Sequence, residues 1–112
     1  MLIAVPTSDG RVCMHFGHCD RFVVFEVNPD LKRIIAQTVA VPPPHEPGVL
    51  PKWLESEGVR TVLAGGMGRR AQELFAQAGI EVVVGVPPDA PENVVTAYLN
   101  GTLRPGENVC DH

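Results

Sequence analysis

Residues 59–85 read VRTVLAGGMGRRAQELFAQAGIEVVVG, and their pattern decides the fold class. VRTVLAGG is a β-rich run that ends in glycines. MGRRAQELFAQAG then places Ala71, Leu74, Phe75 and Ala78 at i, i+3, i+4 and i+7, one face of a helix, and stops at Gly79. IEVVVGV is a second β-rich run. Strand, helix and strand in that order call for a right-handed crossover and a parallel pair, so this stretch predicts an α/β sheet.

The alternation extends on both sides. DAPENVVTAYLNG opens with Asp89 and Glu92 at capping-box spacing, carries Pro91 in its first turn and ends at Gly101, which predicts a helix. Upstream, VLPKWLESEG sets Leu50, Trp53 and Leu54 on one helical face and stops at Gly58. The preceding VPPPHEPG cannot be regular structure, because proline removes the N–H donor and fixes φ. RFVVFEV and KRIIAQTVAV flank Asn28-Pro29-Asp30, a turn signal, and predict an antiparallel hairpin. LIAVP is a short buried strand that runs into the polar turn TSDG. The order is β, hairpin, α, β, α, β, α. It predicts a three-layer α/β domain over residues 1–104, with a mixed five-stranded sheet, an antiparallel N-terminal hairpin and helices on both faces. Residues 105–112 form a tail without periodicity.

Composition bounds the function. A chain of 112 residues is long enough for one domain with a real core and no staples. A net charge of −4 argues against a general nucleic-acid partner, which needs a basic footprint. No segment reads as a signal peptide and no apolar run is long enough to span a membrane, so a cytoplasmic protein is expected. Three cysteines, an odd number, argue against a disulfide framework and for reduced thiols.

Two stretches carry chemistry. In VCMHFGHCD, residues 12–20, Cys13, His15, His18 and Cys19 crowd into seven positions of a chain with three cysteines and four histidines. Thiolate and imidazole bind soft and borderline metals, so these four are candidate ligands. Neighbours in an extended chain point apart, and convergence needs a turn that Gly17 can supply. The tail repeats the Cys-x-His spacing as Cys110-Asp111-His112, and two such pairs from opposite ends of the chain can meet around one site. The bland alternative makes Cys13 a small buried hydrophobe and leaves the histidines hydrogen-bonded or at the surface. No zinc-finger spacing is matched.

The second stretch is LAGGMGRRA, residues 63–71. Glycines at a strand-to-helix junction let the backbone approach a ligand, and the helix N-terminus offers free N–H groups to an anion. Arg69 and Arg70 add positive charge. Gly66-x-Gly68-x-x-Ala71, with Asp89 about 20 residues on, also matches the dinucleotide fingerprint. That motif belongs to the first unit of a larger sheet, whereas this unit comes late in a short chain; a tight turn explains the glycines equally well. Met67 between glycines reads as a soft ligand or as packing.

Catalysis finds no complete constellation. The element order is also that of ribonuclease H, whose chemistry needs clustered carboxylates around two metal ions. Here only Asp9 and Glu26 are candidates, and the strand ending in LAGG supplies none. Cys13 or Cys19 beside histidine has no acid to orient a base, so an enzyme is not expected.

The opening IAVPTSDG, then HFGHCDRFVVFEV, VLAGGMGRRAQELFAQAGIEVVVG, and YLNGTL with the cysteine–histidine tail, together resemble the dinitrogenase iron–molybdenum cofactor biosynthesis family, the small NifX-like proteins. HFG combined with GGMG at this separation carries the resemblance over nearly the whole chain. It implies a ribonuclease H-like three-layer fold without nuclease activity. It also implies a non-enzymatic carrier of an iron–sulfur, iron–molybdenum or molybdenum–copper sulfide cluster, with metallocofactor assembly or acceptor proteins as partners. Cluster contacts are then expected from His15, Phe16, Gly17, Gly65, Gly66, Met67, Gly68 and Arg69. Metal ligation is expected from Cys13, His15, His18, Cys19, Cys110 and His112. Two other readings stay open: a zinc-binding or thiol redox-responsive module, and nucleotide or small-anion binding at GGMGRR.

Overall fold

The computed structural model describes residues 1–16, 19–43 and 48–106. Its order is β1 (Leu2–Ser8), β2 (Arg11–Val12), β3 (Arg21–Asn28), β4 (Arg33–Ala40), α1 (Val49–Ser56), β5 (Val59–Leu63), α2 (Arg69–Gln77), β6 (Glu81–Val83) and α3 (Pro91–Asn100). The strands lie in the order β4-β3-β1-β5-β6, with β2 paired to β1. β1 runs parallel to β5, and β5 parallel to β6, as the strand–helix–strand pattern of 59–85 predicts. β3 is antiparallel to both β1 and β4, which makes the sheet mixed.

The sheet has six strands where five are expected from sequence. The extra one, β2, is two residues long and pairs Ser8 with Arg11 and Thr7 with Val12. Asp9 and Gly10 join the two strands, both at positive φ (54° and 79°), as a two-residue type I′ turn needs. TSDG is therefore the tip of a tight hairpin, and a two-residue strand carries no periodicity for a sequence reading to detect.

Alternation along the central strands divides the core between the faces. Ala4, Phe22 and Val62 face α1 and α2 and pack with Leu50, Leu54 and Phe75. Ile3, Val5, Phe25 and Leu63 face α3 and pack with Val94 and Val95. Helices thus cover both faces. Each helix is followed by a glycine at positive φ, Gly58, Gly79 and Gly101, where a side chain would be strained. α3 departs from expectation at its start. Its N-cap is Ala90 and no side chain caps it, so the Asp89–Glu92 capping box does not form. Asp89 instead accepts from the Ala90 N–H at 2.7 Å and the Asn93 side-chain amide at 3.2 Å. Those bonds, the backbone one foremost, hold its carboxyl below the usual range.

β4 is an edge strand with little cover. Ile35 and Val39 are exposed, and a register shift opposite Glu26 and Val27 bends the β3–β4 ladder. The half-buried Trp53 meets Phe22 edge-on at 5.5 Å, so it closes the α1 side of the core as an apolar helix-face tryptophan should.

Candidate functional site

The two candidate stretches meet. Leaving β2, the Cys13 N–H donates to the Pro6 carbonyl at 2.9 Å, which keeps the chain beside β1. The segment then docks on the glycines that follow β5. The Gly65 N–H donates to the Cys13 carbonyl at 3.3 Å, and the Phe16 N–H donates to the Gly66 carbonyl at 2.9 Å. Asp20 returns to the sheet by donating to the Thr7 carbonyl at 3.0 Å.

Gly65 is there because nothing larger fits. A Cβ on it would lie 2.6 Å from the Cys13 carbonyl oxygen and 3.0 Å from the Met14 Cα. Both obstacles are backbone, so no change of rotamer relieves them. The Met14 sulfur lies 3.2 Å from the same point, and Met14 is half-buried. A soft thioether therefore sits over the turn, a residue that the sequence reading passes over because methionine has no spacing signature. Gly85 is the other omission: its N–H donates to the Gly65 carbonyl at 2.8 Å.

Beyond Gly66 the chain enters α2. Gly68 is the N-cap and contributes no side chain, and the first turn holds no acidic residue. Arg69 and Arg70, the first two residues of the helix, are exposed. The Gln72 side-chain amide donates to the Met67 carbonyl at 2.9 Å, and the Gln72 N–H to the Gly68 carbonyl at 3.1 Å, which hold the turn. The helix end therefore presents positive potential with no carboxylate of its own in the first turn to offset it.

The sequence-derived contacts separate into two groups. His15 is exposed, Gly65 and Gly66 form the docking turn, and Gly68 and Arg69 begin α2. Phe16 and Met67 instead turn inward. Met67 is fully buried, and Phe16 stacks edge-on against Phe22 at 5.9 Å and Phe75 at 5.5 Å. Their side chains belong to the core because the apolar floor beneath the turn needs filling, so they support the site from below. Gly17, His18, Cys110 and His112 lie outside the described residues.

Of the described thiols, Cys13 is buried and Cys19 half-buried. The Cys13 thiol is buried and donates to the His15 carbonyl at 2.9 Å, which occupies its proton. Burial, with Cys13 next in importance, pushes the Cys19 thiol up to about 12. Among the described residues, no three of histidine, cysteine, aspartate and glutamate gather where one metal ion could sit. Cys13, His15 and Cys19 thus share a segment without forming a three-ligand group.

Among the described residues, carboxylates do not assemble around a metal position either. Asp9 tips the β1–β2 hairpin, Glu26 lines a groove beneath α1 with Trp53 and Leu54, and β5 runs out through Ala64 and Gly65. Asp89 lies at the start of α3, across the sheet from α2, and its carbonyl accepts from the Val12 N–H at 3.0 Å. Its carboxylate is taken up by the Ala90 N–H and the Asn93 side-chain amide. No helix among the described residues is long and apolar enough to cross a membrane.

Similar proteins are known in sequence and in structure. The chain is 32% identical over 107 residues to an uncharacterized protein of Methanocaldococcus jannaschii, covering 93% of this chain and 90% of that one. The crystal structure of PH0822 superposes with a TM-score of 0.84 at 34% identity, covering 93% of each chain. The apo form of the orange protein from Desulfovibrio gigas superposes with a TM-score of 0.72 at 25% identity, over 96% of this chain and 93% of that one. The family described as dinitrogenase iron-molybdenum cofactor matches residues 1–101, the docking segment and glycine turn included, and the chain belongs to that family.

Proposed function

We propose that this protein is a non-enzymatic carrier that binds an anionic metal–sulfur cluster, or its precursor, and passes it to metallocofactor assembly or acceptor proteins in the cytoplasm. One observation carries the reading: the Cys13–Phe16 segment is hydrogen-bonded onto Gly65 and Gly66, at a helix end with Arg69 and Arg70 exposed and no side-chain cap. Bare backbone lets a large sulfide-rich cargo approach closely, while the helix end and the arginines offset its charge. His15 supplies an exposed imidazole. A site with few strong ligands suits exchange better than a closed tetrahedral cage. The order β4-β3-β1-β5-β6 supports a ribonuclease H-like topology, and the dispersed Asp9 and Glu26 favour binding over two-metal hydrolysis.

The zinc or thiol-redox reading draws less support, because the Cys19 thiol stays protonated well above neutral pH and Cys13 is engaged as a donor. The nucleotide reading also draws less support, because the Asp89 carboxylate is already engaged by Ala90 and Asn93.

Purification without oxygen, followed by assay of molybdenum, iron, copper, zinc and acid-labile sulfide, tests the proposal. Protein isolated empty is offered tetrathiomolybdate with copper, and separately iron with sulfide. Metal and sulfide retained together in fixed ratio are expected. Stoichiometric zinc without sulfide, or refusal of every cluster offered, sinks it.

A further inference from the structure

Among the described residues, β3 and β4 carry a helix on one face only. α3 lies against β1 and β4 on its side of the sheet, while α1 packs on β5 and α2 on the other. Phe22, Val24 and Glu26 of β3 pair with Ala40, Thr38 and Ala36 of β4, and Phe22 and Val24 belong with the α1-side core, so this row faces α1. Between the row and α1 runs a groove of about 370 Å³. Leu2, Val24, Ala40 and Trp53 line it, each an apolar residue of that core left half-buried. Ala36 and Thr38, both exposed, complete a floor of small side chains.

The edge of β4 is guarded, and this face is not. The register shift opposite Glu26 and Val27 bends the strand, Lys32 and Arg33 precede its uncharged run, and Pro42 follows it. All three features discourage pairing with another strand. A row of small side chains beside a helix instead leaves room for one more helix in the same layer. The floor from Ala36 to Ala40 is about 14 Å long. Positions i to i+7 of a helix span roughly 10 Å, so one apolar helix face covers the floor.

Charge selects the kind of helix. Glu26 and Glu57, both exposed, are the only charged residues lining the groove among those described. A second copy docked groove to groove about a two-fold axis would set these carboxylates against their own equivalents, which repels. A basic partner would be attracted.

We infer that this groove docks an amphipathic helix of a partner protein. Its aliphatic residues at i, i+3, i+4 and i+7 lie against Trp53 and the Ala36–Ala40 floor, and lysine or arginine beside them meets Glu26 and Glu57. The inference is independent of the carrier reading, because the groove shares no residue with the glycine turn or the Cys13–Phe16 segment.

Trp53 is the one tryptophan of the chain, so its emission reports on the groove. The test titrates the full chain with a synthetic helical peptide that carries leucine at i, i+3, i+4 and i+7 flanked by lysine, and with a counterpart that carries glutamate for lysine. The lysine peptide is expected to shift Trp53 emission to shorter wavelength, saturating at one peptide per chain. The glutamate peptide should bind at least about tenfold more weakly, since like charges meet at the contact. E26Q/E57Q should lose about tenfold in affinity for the lysine peptide and melt with the parent. E73Q/E92Q removes the same charge from exposed positions on α2 and α3 and should keep the parental affinity. No shift with the lysine peptide, equal affinity for the two peptides, or unchanged affinity in E26Q/E57Q overturns the inference. So does equal loss in both double variants, because general attraction to a chain of net charge −4 would then explain the binding. Sedimentation of the protein alone is run alongside. A dimer whose Trp53 emission is already shifted would give the groove to a second copy and overturn the inference as well.

Discussion

The Phe16 N–H donates to the Gly66 carbonyl at 2.9 Å, while the Phe16 ring lies between Phe22 and Phe75 in the core. One residue therefore fixes the candidate site with its backbone and anchors it with its side chain. Substitutions on either side of this junction should separate stability from binding.

Gly65→Ala forces the two segments apart, because the new methyl would meet the Cys13 and Met14 backbone at 2.6 and 3.0 Å. Overpacking of this kind costs about 1–3 kcal/mol. Denaturant unfolding is expected to show that loss, and cargo retention should fall as well. A variant as stable as the parent would mean that the 13–16 segment shifts freely.

His15→Ala should leave stability within about 0.5 kcal/mol, as usual for an exposed position, yet weaken retention of a reconstituted cluster. Thermal melting and metal-to-protein ratio after gel filtration read the two effects separately. A large drop in melting temperature with unchanged retention would make His15 structural.

Phe16→Ala empties a buried site between two aromatic rings and should cost about 3–5 kcal/mol. Phe16→Leu, which refills most of the volume, should recover most of it. Because the backbone bond to Gly66 survives in principle, cargo loss is expected to follow unfolding in Phe16→Ala and to be slight in Phe16→Leu.

Alkaline pH should destabilise the fold through Cys19 and Tyr98. The Cys19 thiol is raised from 9.0 to about 12, mainly by burial. Burial, then the bond from the Tyr98 hydroxyl to the Glu81 carboxylate at 2.6 Å, raise the phenol too. Both groups hold their protons more tightly folded than unfolded. Their contribution is complete below the unfolded values and is lost as pH climbs from about 9 towards 12. Unfolding midpoints should therefore be insensitive to these groups near neutrality and fall above pH 9. Tyr98 ionisation, followed by ultraviolet absorbance, should move down in Glu81→Gln. Cys19 should alkylate slowly in the native protein at pH 8, where a thiol of ordinary acidity would react readily.

Much of this fold is written in local pattern. The period of residues 59–85 specified strand, helix and strand, and Asn28-Pro29-Asp30 marked the β3–β4 hairpin. Gly58, Gly79 and Gly101 marked the helix ends because each stop is a backbone requirement within a few residues. Local pattern misled where a competing bond was available: Asp89 and Glu92 have capping-box spacing, but Asp89 bonds to Ala90 and Asn93 instead. Nor could β2 be read, since two residues show no alternation.

Residue type alone could nominate His15, Gly65 and Arg69, because imidazole, bare backbone and guanidinium have few uses at a strand-to-helix turn. It could not say that Phe16 and Met67 face inward, since sequence spacing does not give direction within an irregular segment. Nor could it pair Gly65 with Cys13, or Gly85 with Gly106, because such contacts have no local signature. Those pairs exist only once β1, β5 and β6 lie side by side and bring their ends into register. The sequence by itself determined the elements and the chemistry on offer; tertiary packing decided which residues share the turn, because proximity between distant segments is a property of the folded sheet.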